Sequence, residues 1–271
     1  MTIAAKRAVK APEGFTRQEY VVNGVKTIVN VGGGGRPVVY FHGAGSWHGF
    51  DFAGGPWLER FKVIAPSHPG WGESDDPPPE MNSIGDYVLH YAELFERMQL
   101  PQFDLIGISL GGWLASEFAV AYRERIRRLV LVAPAGLPSP EHPGPTGMQT
   151  WTLDDLYGYL LENRDSVERH LPVTPDEHAA HGAAIRREMQ NTARLLTAHG
   201  AASPKLERWL HRVTMPTLLI WSKADRLTPV GRSEKWMKLL PNATLKLVDR
   251  AGHLTLDESA EARQAVQEFL S

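Results

Sequence analysis

Residues 103–113 read FDLIGISLGGW, a nearly continuous apolar run followed by a turn rich in small residues. Such a run is typical of a strand buried on both faces of a sheet. Gly107, Ser109 and Gly111 match the pattern G-x-S-x-G, in which the serine lies on a strained strand-to-helix turn and small neighbours prevent backbone clashes. An amphipathic segment starts at Leu110 and supplies the helix, so we predict that Ser109 is an exposed nucleophile.

A serine nucleophile requires a base that removes its proton and an acid that orients the base. Asp225 follows the predicted strand 217–221, and His253 follows the predicted strand 244–248. Both therefore lie at the sheet edge where ligands bind in open α/β sheets. We predict a catalytic triad of Ser109, Asp225 and His253, in this chain order.

The negative charge that develops during attack needs backbone N–H donors, which form an oxyanion hole. One predicted donor is Leu110, directly after the nucleophile. The second comes from the loop after the predicted strand 38–41, which reads His42-Gly43-Ala44-Gly45, and we assign it to Ala44. His42 is predicted to hold this loop in place and to take no part in the chemistry.

Short apolar strands alternate with longer helical segments, which predicts an α/β protein with a mainly parallel central sheet and helices on both faces. Predicted strands cover residues 38–41, 63–65, 103–108, 129–133, 217–221 and 244–248, preceded by a hairpin at 17–31. Residues 134–213 begin with a Pro/Gly-rich stretch and continue with helical patterns. We predict that they form a helical cap on a core made of residues 1–133 and 214–271.

Several motifs along the chain resemble those of the α/β-hydrolase fold superfamily. They are HGAG at 42–45, SHPGWGESDDP at 67–77, GISLGG at 107–112, LVLVAPAGL at 129–137, PTLLIWSKADRLTP at 216–229 and AGHLTLDES at 251–259. The chain is similar to small esterases, to carbon–carbon bond hydrolases of aromatic ring-cleavage pathways and to cofactor-free perhydrolases. Serine at position 109 disfavours the dehalogenase and epoxide-hydrolase branches, which carry an aspartate there. Ser222-Lys223 departs from the glycine and acidic residue that family members often carry.

The resemblance implies a hydrolase that requires neither a cofactor nor a metal. Our main prediction is a carboxylesterase that cleaves an ester bond of a small to medium hydrophobic substrate through an acyl-enzyme. Two alternatives stay open at this point. One is hydrolysis of a carbon–carbon bond in a meta-cleavage-type dienoate, and the other is a ligand receptor with a hydrolase fold and slow turnover.

Aromatic residues of the predicted cap and sheet edge are candidates for the substrate pocket, because a cap over a sheet edge closes an apolar cavity. Substrate contacts are predicted for Trp47, Trp71, Trp151, Tyr157 and Asn191. Packing of the cap onto the core explains the same aromatic pattern, so both interpretations stay open.

Polar residues of the cap have two interpretations as well. Carbon–carbon bond hydrolases hold an acidic dienoate with a cap-borne Arg and Asn, which Asn191 with Arg187 or Arg194 resembles. A solvated helix face contains the same residue types. The cap histidines at 170, 178 and 181 lack Cys partners and the HExxH pattern, so we predict no metal site.

The amino-acid composition limits the classes of molecule that the protein is expected to bind. Lys and Arg total 29 against 31 Asp and Glu, for a net charge of −2, which lacks the strongly basic face of a nucleic-acid-binding protein. The absence of Cys excludes disulfides and cysteine nucleophiles. Neither a bilayer-spanning apolar run nor a signal peptide is recognisable. We expect a cytoplasmic monomer or homodimer that acts on a small molecule and binds neither nucleic acid nor membrane.

Overall fold

The computed structural model describes residues 6–147 and 150–271. Residues 1–5, which belong to the predicted core, and residues 148–149, which belong to the predicted cap, lie outside the described residues.

One eight-stranded sheet forms the centre of the molecule. Its strands are β1 (Phe15–Val22), β2 (Val25–Gly32), β3 (Arg36–Phe41), β4 (Phe61–Pro66), β5 (Phe103–Ile108), β6 (Ile126–Val132), β7 (Thr217–Ser222) and β8 (Ala243–Val248). Their spatial order is β1-β2-β4-β3-β5-β6-β7-β8. The pairs from β4 to β8 are parallel, whereas β1 with β2 and β2 with β4 are antiparallel. The predicted α/β fold with a mainly parallel sheet is confirmed.

The antiparallel edge begins with the predicted hairpin. Asn23 and Gly24 join β1 to β2 with φ values of +48° and +80°. Two consecutive positive φ values define the tight turn that matches the twist of paired strands. Asn and Gly are the residues that adopt this conformation most easily, so the local sequence determines the register of the pair.

The helices lie between the strands along the chain, except for the last two, which follow β8. They are α1 (Pro56–Arg60), α2 (Ile84–Arg97), α3 (Leu110–Ala121), α4 (Leu153–Leu160), α5 (Pro175–Leu195), α6 (Pro204–Trp209), α7 (Arg232–Leu239), α8 (Thr255–Glu258) and α9 (Ala260–Leu270). Three of them, α4 to α6, belong to residues 133–216 between β6 and β7, which we name the insertion. Its status as a separate cap stays a prediction. Among the residues described, no helix combines the length and the hydrophobicity needed to cross a bilayer.

Both faces of the sheet are covered. Along β5, Phe103 and Leu105 pack into an apolar cluster with residues of α2 and α3. Ile106 and Ile108 point to the opposite face and join a second cluster with residues of α1 and α9. Strand side chains alternate between faces, and coverage on both sides explains why this strand is apolar almost throughout.

The turn between β5 and α3 leaves no room for a side chain at two glycines. A Cβ added to Gly111 would lie 2.2 Å from the carbonyl oxygen of Phe41, and one added to Gly107 would lie 2.4 Å from the carbonyl oxygen of Gly111. Real Cβ atoms do not approach backbone oxygens this closely. The two glycines therefore allow α3 to start directly against the end of β3.

Replacement of Gly111 by alanine tests this contact. Gly111→Ala is expected to lower the free energy of unfolding by about 1–3 kcal/mol, since an overpacked site forces the backbone to shift. Gly158→Ala is the matched control, because it lies inside α4 and a Cβ there meets nothing within 4 Å. Urea denaturation of both variants gives the comparison. Equal losses of stability in the two variants would contradict a steric clash at position 111.

Candidate active site

Ser109 occupies the turn between β5 and α3. Its backbone has φ +53° and ψ −118°, a strained conformation for a residue with a side chain. Its N–H donates to the carbonyl of Val132 at 3.0 Å, and its own carbonyl accepts from Ala135 at 2.9 Å and Trp113 at 3.1 Å. These bonds hold the strained turn and place the side chain in the wall of a cavity above the sheet.

Asp225 and His253 follow β7 and β8 and contact each other. His253 Nδ1 lies 2.8 Å from Asp225 Oδ2, and both side chains are buried. Asp225 Oδ1 accepts the N–H groups of Leu227 at 2.9 Å and Thr228 at 2.7 Å. Donors on both oxygens therefore fix the plane of the carboxylate, which in turn fixes the imidazole.

The free nitrogen of His253 faces the nucleophile's cavity. A carboxylate accepts hydrogen bonds, so the imidazole proton lies on Nδ1 and Nε2 is left as an acceptor. His253 Nε2 has no hydrogen-bond partner within residues 6–147 and 150–271, and His253 lines the same cavity as Ser109. The arrangement is suited to removing a proton from a hydroxyl in that cavity.

Two buried histidines hold the loop after β3. His42 Nδ1 donates to the carbonyl of Gly43 at 2.7 Å, and His42 Nε2 accepts the backbone N–H of His68 at 3.0 Å. His68 Nε2 donates to the carbonyl of His42 at 3.0 Å, and His68 Nδ1 bonds the hydroxyl of Tyr91. Burial lowers the pKa of His42 well below its usual value and lowers the pKa of His68 to about 4. Both rings are therefore neutral, structural groups at pH 7.

The two predicted oxyanion donors lie beside Ser109. Leu110 is the first residue of α3, and Ala44 lines the cavity. Neither N–H donates to a backbone carbonyl within the described part of the chain. The carbonyl of Ala44 accepts the indole N–H of Trp71 at 2.7 Å, which fixes the orientation of the Ala44 peptide. Two unused N–H groups next to a serine are what an oxyanion hole requires.

The cavity is small and mostly apolar, with a volume of about 50 Å³. It is lined by Gly43, Ala44, Gly45, Trp47, His48, Ile108, Ser109, Leu156, Leu160, Met189, Leu227, His253 and Leu254. Leu156, Leu160 and Met189 come from the insertion, so α4 and α5 cover the sheet edge. A larger cavity of about 490 Å³ lies between Trp57, Asp257 and Arg263 and shares no lining residue with the first.

Of the five predicted substrate-binding residues, the structure places Trp47 in the cavity wall and four elsewhere. Trp71 is fully buried and donates to Ala44. Trp151 stacks on Tyr159 with ring centroids 4.2 Å apart, and the Tyr157 hydroxyl bonds His181 at 2.8 Å. The lining of the cavity includes none of these three side chains, so their contact with substrate stays a prediction.

Asn191 is the fourth residue outside the cavity lining. Its side-chain amide donates to the carbonyl of Gly70 at 3.0 Å. Arg187 donates to the carbonyls of Gly72 at 2.9 Å and Ser74 at 2.8 Å. Arg194 likewise donates to carbonyls of the same loop. All three side chains therefore bind the backbone of residues 70–81, and the contact of Asn191 with substrate stays a prediction.

Several cavity residues were not predicted as substrate contacts. Leu156 and Leu160 are spaced by one helical turn on α4, so their shared face is visible in the sequence. Leu254 adjoins His253 along the chain. His48 and Met189 have no sequence signal that separates them from ordinary core residues. The cap histidines bind separate partners: His170 contacts Asp51, whereas His181 contacts Tyr157.

Comparison with known proteins shows similarity over most of the chain. The model of the alpha/beta hydrolase family matches residues 38–266. The 2-hydroxymuconate semialdehyde hydrolase of Pseudomonas sp. (strain CF600) is 25% identical, over 94% of this chain and 93% of that protein. The 2-hydroxy-6-oxononadienedioate/2-hydroxy-6-oxononatrienedioate hydrolase of Burkholderia vietnamiensis (strain G4 / LMG 22486) is 29% identical, over 89% of each chain.

Comparison with a solved structure shows the same fold. A Ser-to-Ala variant of the meta-cleavage product hydrolase from Pseudomonas fluorescens IP01, complexed with acetates, aligns with a TM-score of 0.79. The identity is 22%, over 93% of this chain and 96% of that one, and at this level the similarity shows the fold alone.

The names of the two relatives contradict the main functional prediction. They designate hydrolases of a semialdehyde and of a dienedioate or trienedioate, not of esters. The prediction of a hydrolase is confirmed at the level of the fold family, whereas the prediction of a carboxylesterase is wrong. The residues common to serine hydrolases do not distinguish the two kinds of bond.

The low pKa of His68 predicts a loss of stability in acid. An unfolded histidine binds a proton below about pH 6.5, whereas the folded protein keeps His68 neutral down to about pH 4. Stability is therefore full above pH 6.5 and falls as the pH drops towards 4, by about 2 kcal/mol at pH 5 from this group. His68→Gln, whose amide preserves one donor and one acceptor, should reduce the difference between urea denaturation at pH 7 and pH 5. If His68→Gln leaves the difference in stability between pH 7 and pH 5 unchanged, a neutral, buried His68 is contradicted as its cause.

Asp225→Asn tests the orientation of the imidazole. The new amide would donate to His253 Nδ1, which moves the ring proton to Nε2 and removes the acceptor that faces Ser109. In serine proteases this change costs about 10⁴ in rate, and we expect a loss of about 10³–10⁴ in the rate of Ser109 phosphonylation by a fluorophosphonate probe. Asp249→Asn, an exposed carboxylate after β8, is the matched control. A normal labelling rate in Asp225→Asn would refute the assignment.

Proposed function

The chain belongs to the alpha/beta hydrolase family, and within this family we propose that it hydrolyses a carbon–carbon bond of a meta-cleavage-type dienoate. One observation carries the proposal: relatives that align over nearly nine-tenths or more of both chains are named for hydrolysis of such compounds. The site described above is chemically compatible with it.

In the first half of the proposed reaction, Ser109 Oγ attacks the ketone carbon of the substrate. His253 Nε2 accepts the hydroxyl proton, and Asp225 stabilises the imidazolium that forms. The ketone oxygen becomes an oxyanion held by the N–H groups of Leu110 and Ala44. Each such donor is worth about 3–4 kcal/mol in the transition state of related reactions.

The second half requires a carbon leaving group. In the keto tautomer of the substrate, the dienol proton has moved to the carbon next to the ketone. Collapse of the tetrahedral intermediate then breaks the bond to that carbon, and its electron pair is delocalised into the adjoining enone as a dienolate. His253 returns the proton to this group. Water activated by the same imidazole hydrolyses the acyl-serine and releases a carboxylic acid.

The lining of the cavity favours binding of an apolar end of such a substrate. Leu156, Leu160 and Met189 present apolar surface towards Ser109, and the described lining contains no Lys or Arg. A second carboxylate would lose its hydration there without gaining a cation. We therefore assign the cavity to an apolar substituent on the ketone, and a 2-hydroxy-6-oxo-2,4-heptadienoate fits this requirement better than a dienedioate.

Turnover of 2-hydroxy-6-oxo-2,4-heptadienoate tests the proposal. The unaltered protein should bleach the absorbance of the dienoate with multiple turnovers, and Ser109→Ala should lower kcat by about 10⁴ or more, as loss of a serine nucleophile does elsewhere. Ser116→Ala is the matched control, since Ser116 lies on α3, which follows Ser109, and its hydroxyl donates to the carbonyl of Gly112.

Comparison of substrates extends the test. The corresponding 2-hydroxy-6-oxononadienedioate should have a lower kcat/KM than the heptadienoate. No bleaching of either dienoate by the unaltered protein would overturn the proposed reaction, and equal kcat/KM values would overturn the assignment of the apolar end.

A further inference from the structure

A buried carboxylate of the insertion binds the loop that carries the predicted oxyanion donor. Glu188 lies on α5 and is 3% exposed. Its carboxylate accepts the backbone N–H of Ser46 at 2.9 Å and the hydroxyl of Ser46 at 2.5 Å. It also accepts the N–H of Gly72 at 3.2 Å. Burial raises the pKa of Glu188, and the hydrogen bonds from Ser46 and Gly72 oppose this rise. The carboxyl group therefore belongs to a built site and is not an accident of packing.

The three donors come from two residues, one in the loop that contains Ala44 and one in the loop that contains Trp71. Ser46 follows Ala44 by two residues in the loop after β3. Gly72 adjoins Trp71, whose indole N–H donates to the Ala44 carbonyl at 2.7 Å. Glu188 therefore fixes the loop of Ala44 at Ser46, and it fixes the other loop at Gly72, next to the residue that orients the Ala44 peptide.

The same helix also covers the substrate cavity. Met189, the next residue after Glu188, lines the same cavity as Ser109. A displacement of this part of α5 that uncovers the cavity would also move Glu188 away from Ser46. Met189, which covers the cavity, and Glu188, which supports the oxyanion loop, are thus adjacent residues on one rigid helix.

The geometry points to Glu188 as a positioning residue, which holds the Ala44 N–H against Ser109 only while α5 is docked over the cavity. The oxyanion hole is then complete when the insertion is closed and incomplete when it is open. This inference rests on the proposed nucleophile and oxyanion donors, but it is independent of which bond the substrate presents.

Experiments can distinguish a positioning role of Glu188 from a role that only stabilises the fold. A stabilising contact would change the folded fraction and leave the properties of the folded molecules unaltered. A positioning contact instead lowers the reactivity of Ser109 in protein that is fully folded, and it lowers kcat more than it changes KM, because oxyanion donors act mainly in the transition state.

The experiment measures the second-order rate of Ser109 phosphonylation by a fluorophosphonate probe, which needs no knowledge of the substrate. For Glu188→Ala we expect a fall of about 10–100-fold, comparable with weakening of one oxyanion donor. Glu188→Gln should recover part of this loss, because its amide oxygen still accepts one N–H group. Asp176→Asn, which removes an exposed carboxylate in the first turn of the same helix, is the matched control and should label normally.

Ser46→Ala covers the case in which Glu188→Ala fails to fold. It removes the hydroxyl donor and keeps the N–H bond, so we expect a smaller fall in the same direction. In the double variant Ser46→Ala/Glu188→Gln, the two effects should not be additive. Steady-state kinetics on the heptadienoate should show the loss in kcat, with KM changed by no more than about threefold as expected for a group acting in the transition state.

Normal phosphonylation rates in folded Glu188→Gln and Ser46→Ala would overturn the inference. So would rates that fall only in proportion to the folded fraction, or an unaltered protein whose Ser109 is not labelled. Failure of the proposed carbon–carbon hydrolysis appears separately, as normal labelling of Ser109 without turnover of the dienoate.

Discussion

The strained backbone of Ser109 is the constraint from which the site is built. Its positive φ turns the chain sharply from β5 into α3, so the side chain projects from the sheet and the helix N-terminus points at it. The strain persists because surrounding bonds determine it: the Ser109 N–H and carbonyl are both used. The turn also brings Gly111 against the end of β3, and this contact places the loop of Ala44 next to the nucleophile.

Features that depend on short-range patterns were predictable from the sequence. Strand β5 coincides with the predicted 103–108, and the Asn23-Gly24 hairpin follows from the φ values that these two residues tolerate. Asp225 and His253 lie 28 residues apart in the chain, yet parallel neighbouring strands bring their carboxyl ends together. Topology therefore turns two separate loop residues into a pair, and the prediction needed only their order along the chain and their positions after two strands.

Two predicted pocket residues that lie outside the cavity lining have distant backbone groups as partners. Trp71 and Asn191 look like pocket residues because aromatic and amide groups often bind substrates, but each bonds a carbonyl, of Ala44 and of Gly70. No sequence pattern reveals which carbonyl lies within reach of a side chain. The type of reaction was equally hidden from the sequence. Hydrolysis of an ester and of a vinylogous ketone both require a serine, a histidine and an oxyanion hole, so these groups do not identify which bond is cleaved.

The size of the cavity limits how a substrate binds. A water molecule needs roughly 10–15 Å³ of such space, so a cavity of about 50 Å³ accommodates a few waters and not a heptadienoate. Its apolar walls at Leu156, Leu160 and Met189 adapt by changing rotamers, as methionine does readily. Asp225 and His253 are held by hydrogen bonds to each other and to backbone N–H groups, and these have one favourable geometry. We therefore expect the proposed substrate to enlarge the cavity on the side of the insertion, while the reacting groups keep their positions.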